Sequence, residues 1–451
     1  MPTPELPLYD LATPAGRDAY AARLARLKNT ASSTSDAATT VADILADVRS
    51  RGDEAVVELM QTFTDPGFTA DDIRVDPATF APAADALDAD LRNAITAAID
   101  NVTRYQQHIK PSDPDPIDLA GATLGLRWSN VDSVGLCVPG GSAVLFSTLI
   151  MLAVPALVAG VPADQIHVIH PPPTADPSKP TASRRGPAPP LLATCHLLGL
   201  KNLYAIGGAQ GVAALAFGTH TVPPVDLIAG PGNVFVQLAK AQVQGHTGTD
   251  NGFYGPSEIV TLADDSANPA RVAADLLAQA EHNPGKCFLI AWQPDVIENV
   301  QHELKNQFEK LTRQDAIAAA LRDESCALLA ADEQHAADLA NELATEHLSL
   351  AVADPESWLP MIRHAGEIFL HDTTPVAAGD YYAGPSHCLP TGTTARFTSG
   401  VSVYTFLKRT GTVAYNPKTG GMPEDAIQRI DAMASAESLT AHAASACIRQ
   451  S

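Results

Sequence analysis

Two polar pairs in the middle of the chain have residue types suited to metal or proton chemistry. Gln279 and His282 are three residues apart in a helix-like stretch, so both would lie on one helix face. An amide oxygen and an imidazole nitrogen there could bind one metal ion, although glutamine is an uncommon ligand and a helix cap or surface pair is the alternative. Glu346 and His347 place a carboxylate beside an imidazole, and both groups can transfer protons.

Two further segments carry an acid and a histidine. The loop Gly379–His387 presents Asp380 and His387 among turn-forming residues, which is how loops display functional groups, and a solvated turn is the alternative. Glu437 and His442 are five residues apart in a stretch over 431–448 that we predict to be one C-terminal helix. For that second pair, a solvated terminal helix is the alternative.

The elements that position these residues follow a strand, glycine turn, helix pattern. The turns contain Pro139-Gly140-Gly141, Gly207-Gly208 and Gly230-Pro231-Gly232-Asn233. Such glycines let a phosphate approach the N–H groups at a helix N-terminus, although no G-x-G-x-x-G is present and tight turns are the alternative. The alternation, which continues after residue 256, predicts parallel sheets covered by helices. Ligands of such sheets bind beyond the carboxyl ends of the strands.

The remaining segments are simpler. Residues 16–110 are predicted to be mainly helical, and the proline-rich stretch 171–190 is predicted to be an exposed loop without a catalytic role. The apolar run Val144–Val161 contains Pro155 and Gly160 and follows a turn. We therefore predict a buried helix of an α/β domain there rather than a membrane span.

Composition limits the class of protein. The 451 residues correspond to about three domains. The net charge of −22 argues against binding to nucleic acid or to an anionic membrane, but it does not exclude a small anionic ligand. The six cysteines form no CxxC pair and no disulfide scaffold, and the N-terminal residues show no secretory signal. A cytoplasmic location is expected.

In combination these segments resemble the histidinol dehydrogenase family over residues 30–448. The matching stretches, in the family's order, are Val138–Gly141, Gly207–Gln210, Gly230–Asn233, Gly255–Glu258, Gln279–His282, Glu346–Leu348, Gly379–His387, Leu389–Phe397 and Ser402–Thr410. Motifs of this length and number are highly specific.

The resemblance implies a role for each candidate residue. Zinc, one ion per subunit, would be bound by Gln279, His282, Asp380 and His442. Substrate contacts would come from these four residues together with Ser257, His347, His387 and Glu437. The implied catalytic pair is Glu346 and His347, and the positions that contact NAD are Cys137, Gln210 and Asn233.

The resemblance also implies the architecture. The expected fold is α/β, with two Rossmann-like domains that contain parallel-rich sheets, smaller N- and C-terminal helical segments, and an intertwined homodimer. The expected division is an N-terminal arm (1–25), a first α/β domain (26–136 with 256–395), a second α/β domain on the NAD side (137–255), and a C-terminal segment (396–451) that reaches the partner subunit. Glu437 and His442 would then complete the neighbouring site.

The implied reaction is the four-electron oxidation of L-histidinol, through L-histidinal, to L-histidine by two molecules of NAD. One alternative is a related zinc and NAD dehydrogenase for another small polar alcohol such as a sulfonated diol, and another is a non-catalytic relative. Two departures from the family pattern stand out. Cys137 replaces a tyrosine that contacts NAD, and the segment 249–254 replaces an Ile-Asp-Met element near Ser257.

Overall fold

The computed structural model describes residues 3–29, 36–140, 145–172, 187–250, 252–282 and 285–449. Most of the proline-rich stretch 171–190 lies outside the described residues, as do Gly141 and Asn251.

Fourteen strands are present in the described ranges. They are β1 (Leu8–Asp10), β2 (Ile117–Leu119), β3 (Ala122–Asn130), β4 (Val134–Cys137), β5 (Ile166–Ile169), β6 (Asn202–Tyr204), β7 (Leu227–Ala229), β8 (Gly248–Thr249), β9 (Glu258–Ala263), β10 (Lys286–Ala291), β11 (Cys326–Leu329), β12 (His347–Ala351), β13 (Glu367–Leu370) and β14 (Leu407–Ala414).

Sixteen α-helices accompany these strands in the same ranges. They are α1 (Pro14–Asn29), α2 (Asp36–Arg51), α3 (Asp53–Phe63), α4 (Phe80–Asp85), α5 (Ala89–Ile109), α6 (Phe146–Ala159), α7 (Pro189–Leu197), α8 (Gly208–Phe217), α9 (Val234–Val243), α10 (Pro269–Ala280), α11 (Pro294–Phe308), α12 (Gln314–Ala319), α13 (Glu333–Leu343), α14 (Val376–Tyr381), α15 (Glu424–Ala436) and α16 (Thr440–Cys447).

Two parallel sheets form the body of the molecule. The five-stranded sheet has the order β6-β5-β4-β7-β8, and the six-stranded sheet has the order β1-β11-β10-β9-β12-β13. Every pairing in both sheets is parallel. Apart from the edge strand β1, both sheets place their strands in the order third, second, first, fourth, fifth, which is the Rossmann order without its sixth strand. The α/β class predicted from the sequence is therefore confirmed.

Helices cover both faces of each sheet. Helices α4 to α7 pack on one face of the five-stranded sheet, and α2, α3, α8 and α9 pack on the other. In the six-stranded sheet, α10 to α12 cover one face, and α1 and α13 cover the other. Burial of these apolar stripes is the main stabilising contribution to both units.

The packing corrects the expected domain division. Helices α2 to α5 were expected to join residues 256–395, but their apolar stripes are buried against α6 to α9 of the five-stranded sheet. The N-terminal arm is also not separate, because β1 pairs with β11 and Tyr20, Leu24 and Leu27 of α1 are buried in the six-stranded unit. A helix's position in the sequence therefore does not determine which of the two sheets buries its apolar face.

A small antiparallel sheet joins distant parts of the chain. It has the order β14-β3-β2, so the C-terminal segment pairs with residues 122–130. The expected single helix over 431–448 is wrong, because α15 ends at Ala436 and α16 begins at Thr440. Ser438 between them has a φ of 62°, a left-handed conformation that interrupts the helix.

The apolar helix α6 is buried, as its sequence predicts. Its residues from Ser147 to Ala156 are buried, and it packs between the five-stranded sheet and α5. Within the described residues, every helix is either too short or too polar to cross a lipid bilayer.

Candidate active site

The candidate site is a cleft of about 450 Å³ between the two parallel sheets. The five-stranded sheet contributes its carboxyl edge, through Pro139 and the turn after β7. The six-stranded sheet contributes its amino edge, through Ser257 before β9 and Glu346 before β12. The cleft therefore lies beyond the carboxyl ends of the strands in one sheet only. In the six-stranded sheet, the functional groups precede the strands.

His347 occupies the first position of β12 and is buried beside Gln279 of α10. Its Nδ1 lies 3.1 Å from Oε1 of Gln279. An amide oxygen only accepts hydrogen bonds, so Nδ1 carries the proton in this arrangement. Nε2 then holds a lone pair, and it has no hydrogen-bond partner among the described residues. Asp380 Oδ1 lies 3.7 Å from this Nε2.

Burial keeps the His347 ring neutral. Desolvation lowers the pKa of His347 to about 4, and the Asp380 carboxylate only partly opposes this shift. The ring edge faces Phe369, with ring centroids 5.6 Å apart at an interplanar angle of 72°. A neutral imidazole with one free nitrogen can act as a general base at neutral pH.

The Glu346 carboxyl is buried next to this base. Its Oε2 accepts a hydrogen bond of 3.1 Å from the backbone N–H of Glu258. Burial, followed by the Asp380 carboxylate, raises the pKa of Glu346 well above its usual range, while the hydrogen bond from the Glu258 backbone and, to a smaller extent, one from Ser257 oppose the shift. The pair Glu346 and His347 thus combines a proton-holding carboxyl with a neutral imidazole, a combination typical of acid–base sites.

His387 connects the two halves of the cleft. Its Nδ1 lies 2.7 Å from the carbonyl oxygen of Asp380, and its Nε2 lies 2.9 Å from Oγ1 of Thr148 on α6. Because a carbonyl only accepts, Nδ1 donates, and Nε2 of the neutral ring accepts from the Thr148 hydroxyl. Desolvation lowers the pKa of His387, which favours this neutral form.

Three side chains near His347 have the atoms that a metal ion needs. Gln279 lies in the last turn of α10, where the helix dipole favours a cation, and Asp380 faces it from α14. The prediction that His282 shares a helix face with Gln279 is wrong, because α10 ends at Ala280 and His282 follows in the loop. Amide oxygen, imidazole nitrogen and carboxylate oxygen form a set that suits zinc. Within the described residues, no group of three or more His, Cys, Asp or Glu is placed to hold a metal. Any set of three donors from these side chains therefore includes the oxygen of Gln279.

Two of the three cofactor candidates line a second, smaller cavity of about 100 Å³ at the carboxyl edge of the five-stranded sheet. Cys137 and Asn233 line it, together with the glycine turns. Asn233 caps α9, since its Oδ1 accepts from the N–H groups of Phe235 and Val236. Gln210 lies one turn into α8 beside Gly208, and its amide nitrogen points to the sulfur of Met60 at 3.4 Å.

Comparisons with known proteins bear on this site. A profile of the histidinol dehydrogenase family matches residues 27–450. Histidinol dehydrogenase of Rhodopirellula baltica is 43% identical over 411 residues, which is 91% of this chain and 86% of the relative. Its counterpart from Gluconobacter oxydans is 40% identical over 411 residues, with 90% and 91% covered. The chain belongs to the histidinol dehydrogenase family.

A solved structure agrees with that membership. The crystal structure of histidinol dehydrogenase from Elizabethkingia anophelis matches with a TM-score of 0.85 at 30% identity, covering 98% of both chains. The resemblance seen in the sequence motifs is confirmed, and the histidinol dehydrogenase family consists of NAD-dependent oxidoreductases.

Most of the site residues predicted for a histidinol dehydrogenase lie in the cleft or directly behind it. Five of them line it, and these are Ser257, His282, Glu346, Asp380 and His387. Gln279 and His347 are buried and contact each other next to Asp380. Glu437 and His442 do not lie among the residues that line it, and both are exposed on the separate C-terminal helices. Their roles as substrate and metal ligands stay predictions that need a second chain.

The replacement of tyrosine by Cys137 has a visible consequence. The Cys137 side chain is buried in the core with Ile169 and Tyr204, and burial raises the pKa of its thiol to about 12. Tyr204 does not take the tyrosine's place, since it is buried and its hydroxyl contacts His167. The aromatic residues that line the main cleft are instead Phe253, Tyr254 and Tyr381.

Some functional contacts gave no signal in the sequence. Thr148 lies within a uniformly apolar helix, and its contact with His387 joins residues 239 positions apart. Glu258 ends the matching stretch Gly255–Glu258 and was given no role, yet its backbone N–H holds Glu346, and its own carboxylate pairs with Lys286 at 3.0 Å. Contacts between residues so far apart in the sequence come from the tertiary fold and not from local spacing.

Proposed function

We propose that this chain oxidises L-histidinol through L-histidinal to L-histidine, with NAD as the hydride acceptor in both steps. The observation that carries the proposal is the buried His347, which is neutral and has a free Nε2 that lies 3.7 Å from Oδ1 of Asp380, a residue that lines the cleft together with Glu346. Family membership supplies the substrate, because the curated relatives are named for it.

The first oxidation needs a base and a hydride acceptor. Nε2 of His347 takes the hydroxyl proton of the alcohol, and the carbon transfers a hydride to NAD, which gives the aldehyde and NADH. The free lone pair of Nε2 and the lowered pKa of His347 both suit this role.

The second oxidation needs water. Addition of water to the aldehyde gives a hydrate, which transfers a second hydride to NAD and becomes the carboxylate. Glu346 lies beside His347 and would accept the proton of that water once its carboxyl is ionised. Because the aldehyde stays bound between the steps, correct positioning replaces a second encounter with the enzyme.

Zinc is part of the proposal. Gln279, His282 and Asp380 fit a zinc ion by donor chemistry and by their place at the end of α10, and His442 of a second copy of the chain would add the fourth donor. When bound, zinc would supply a Lewis-acidic anchor for the nitrogens of the substrate. Ser257, His387 and Glu437 would contact the substrate, with the Glu437 carboxylate paired to its ammonium group.

NAD would bind at the carboxyl edge of the five-stranded sheet. The N-termini of α8 and α9 lie at the small cavity, where their helix dipoles give a local positive potential despite the net charge of −22. Gln210, Asn233 and the backbone at Cys137 are the proposed contacts. We also place the chain in the cytoplasm as a homodimer, in keeping with its six free cysteines and with the exposed pair Glu437 and His442.

Steady-state kinetics with two substrates tests the proposal. NADH formation is measured with L-histidinol and, separately, with a sulfonated diol, before and after chelation and re-addition of zinc. We expect turnover of L-histidinol that is lost on chelation and restored by zinc. Turnover of the diol alone would support the alternative dehydrogenase and sink this proposal, and the absence of turnover with both would favour a non-catalytic relative.

A further inference from the structure

An ion pair that takes no part in the proposed chemistry is buried below the cofactor cavity. Nζ of Lys240 on α9 lies 2.6 Å from Oδ1 of Asp250, which follows β8, and the two side chains are 3% and 0% exposed. Removing two charges from water is costly, so a buried pair is weak evidence for a contribution to stability. The pair therefore matters mainly for the part of the backbone that it holds in place.

Both members of the pair form hydrogen bonds with the backbone of Gly230. The N–H of Gly230 donates to Oδ2 of Asp250 at 2.7 Å, and Nζ of Lys240 donates to the carbonyl oxygen of Gly230 at 2.9 Å. Gly230 has a φ of 115°, and a Cβ there would lie 2.5 Å from the carbonyl oxygen of Cys137. The backbone is thus in a conformation that only glycine adopts easily, and two charged groups fix it there.

Gly230 begins the turn that separates the two cavities. Pro231, Gly232 and Asn233, which follow directly, line both the main cleft and the smaller cavity. Asn233 also caps α9, the helix that carries Lys240. A change at Gly230 would therefore move a wall of both cavities and the start of α9 together.

Tyr254 connects the same turn to the main cleft, which it lines. Its ring lies under Lys240, with Nζ 4.9 Å from the ring centroid, and its carbonyl oxygen accepts a hydrogen bond of 3.4 Å from the N–H of Gly232. The Tyr254 hydroxyl is also 3.4 Å from the carbonyl oxygen of Asp250. The ion pair, the turn and Tyr254 thus form one connected group.

We infer that Lys240 and Asp250 are positioning residues for the nicotinamide dinucleotide, which hold the Gly230–Asn233 turn in the form that receives it. The inference rests on the proposed NAD site at this sheet edge. Neither residue touches the reacting atoms, so their loss should change the affinity for NAD more than the rate of the bound complex.

The test compares Lys240→Met with the double variant Lys240→Met/Asp250→Asn. For each, the KM for NAD, kcat at saturating NAD, the dissociation constant for NAD alone and the Tm are measured. We expect the KM and dissociation constant for NAD to rise about tenfold or more in both variants, since charged hydrogen bonds to the turn are lost. The double variant should regain Tm, because no unpaired charge remains buried, without regaining affinity for NAD.

A matched control separates positioning from general destabilisation. Val243→Ala removes buried volume from the same helix without touching the ion pair or the turn. We expect it to lower Tm and leave the affinity for NAD within about twofold of wild type. If the affinity for NAD falls in step with Tm in all three variants, the inference is wrong. If the wild type itself binds no NAD, the proposed function fails instead.

Discussion

Nδ1 of His347 lies 3.1 Å from Oε1 of Gln279, although the two residues come from a strand and a helix 68 positions apart in the sequence. This contact fixes which nitrogen of the imidazole carries the proton and leaves Nε2 unpartnered among the described residues, 3.7 Å from Oδ1 of Asp380. Burial lowers the pKa of His347 to about 4, so the free nitrogen remains available as a base at neutral pH. Gln279 thus orients the base in addition to its proposed contact with zinc.

Replacement of His347 by asparagine tests the base. The side-chain amide of His347→Asn can still donate toward Gln279, but it has no nitrogen lone pair at the position of Nε2. We expect kcat to fall by about 10²- to 10⁴-fold, the usual contribution of a general base. Zinc content and Tm, measured on the same preparation, should stay near the wild-type values. Wild-type turnover in this variant would show that His347 is not the base.

Thr148 should affect the substrate through His387. Thr148→Val keeps the shape of the side chain but removes the hydroxyl that donates to Nε2 of His387, which leaves a buried imidazole nitrogen unpaired. We expect the KM for L-histidinol to rise by about three- to tenfold, with a smaller effect on kcat. Thr148→Ser restores the hydroxyl and should restore the KM. An unchanged KM for L-histidinol in the valine variant would show that the Thr148 hydroxyl does not contribute to substrate binding.

Glu367, at the amino end of β13, gives a pH-dependent stability. Burial, and secondarily the Asp380 carboxylate, raise the pKa of Glu367 from 4.5 to about 7, and its Oε2 has no partner among the described residues. A raised pKa means that the folded state holds the proton more tightly than the unfolded state. This contribution to stability is therefore complete below pH 4.5 and is lost as the pH rises through about 7.

Denaturant unfolding of Glu367→Gln at pH 5 and pH 8 measures this effect, because glutamine does not titrate. Relative to wild type, we expect the variant to gain about 2–3 kcal/mol in free energy of unfolding between the two pH values. Glu298→Gln, which removes an exposed carboxylate on α11, serves as the control and should show the wild-type pH dependence. A pH-independent difference between Glu367→Gln and wild type would contradict this explanation.

The exposed C-terminal pair leads to a test of assembly. If His442 completes the site of a second chain, His442→Ala and His347→Asn homodimers should each be inactive for different reasons. Hybrid dimers, formed by mixing under conditions that exchange chains, contain one site with neither defect. We expect activity to return in the mixture, up to about a quarter of wild type for random exchange of two chains. If mass labelling shows that the chains have exchanged and the activity still does not return, each site is built from one chain.

The local chemistry of the site was predictable from the sequence, but much of its arrangement was not. The glycine turns predicted the carboxyl edge of the five-stranded sheet, and the residue types of Gln279 and His282 indicated metal chemistry, although α10 ends at Ala280 and His282 lies just beyond it. The placement of Glu346 and His347 at the amino edge of the other sheet depends on how the two sheets face each other, which no local pattern encodes. The same holds for α2 to α5, whose apolar stripes fit either sheet until tertiary packing selects one.

The break at Ser438 marks another limit of sequence patterns. The stretch 431–448 has the composition of one helix, yet the chain reverses at a left-handed serine and forms two. Such a conformation is unfavourable in isolation, and it is adopted because Ala434, Ala443 and Ala446 are buried on the two helices. Tertiary contacts therefore overrode the local preference.

The most direct test of the proposed function is the stoichiometry of a complete reaction. Purified protein with zinc and excess NAD is given a limiting amount of L-histidinol, and NADH, L-histidinal and L-histidine are quantified at completion. We expect two NADH and one L-histidine for each L-histidinol consumed, with no free aldehyde. One NADH per alcohol with accumulated aldehyde, or no consumption of L-histidinol, would contradict the four-electron oxidation proposed for this site.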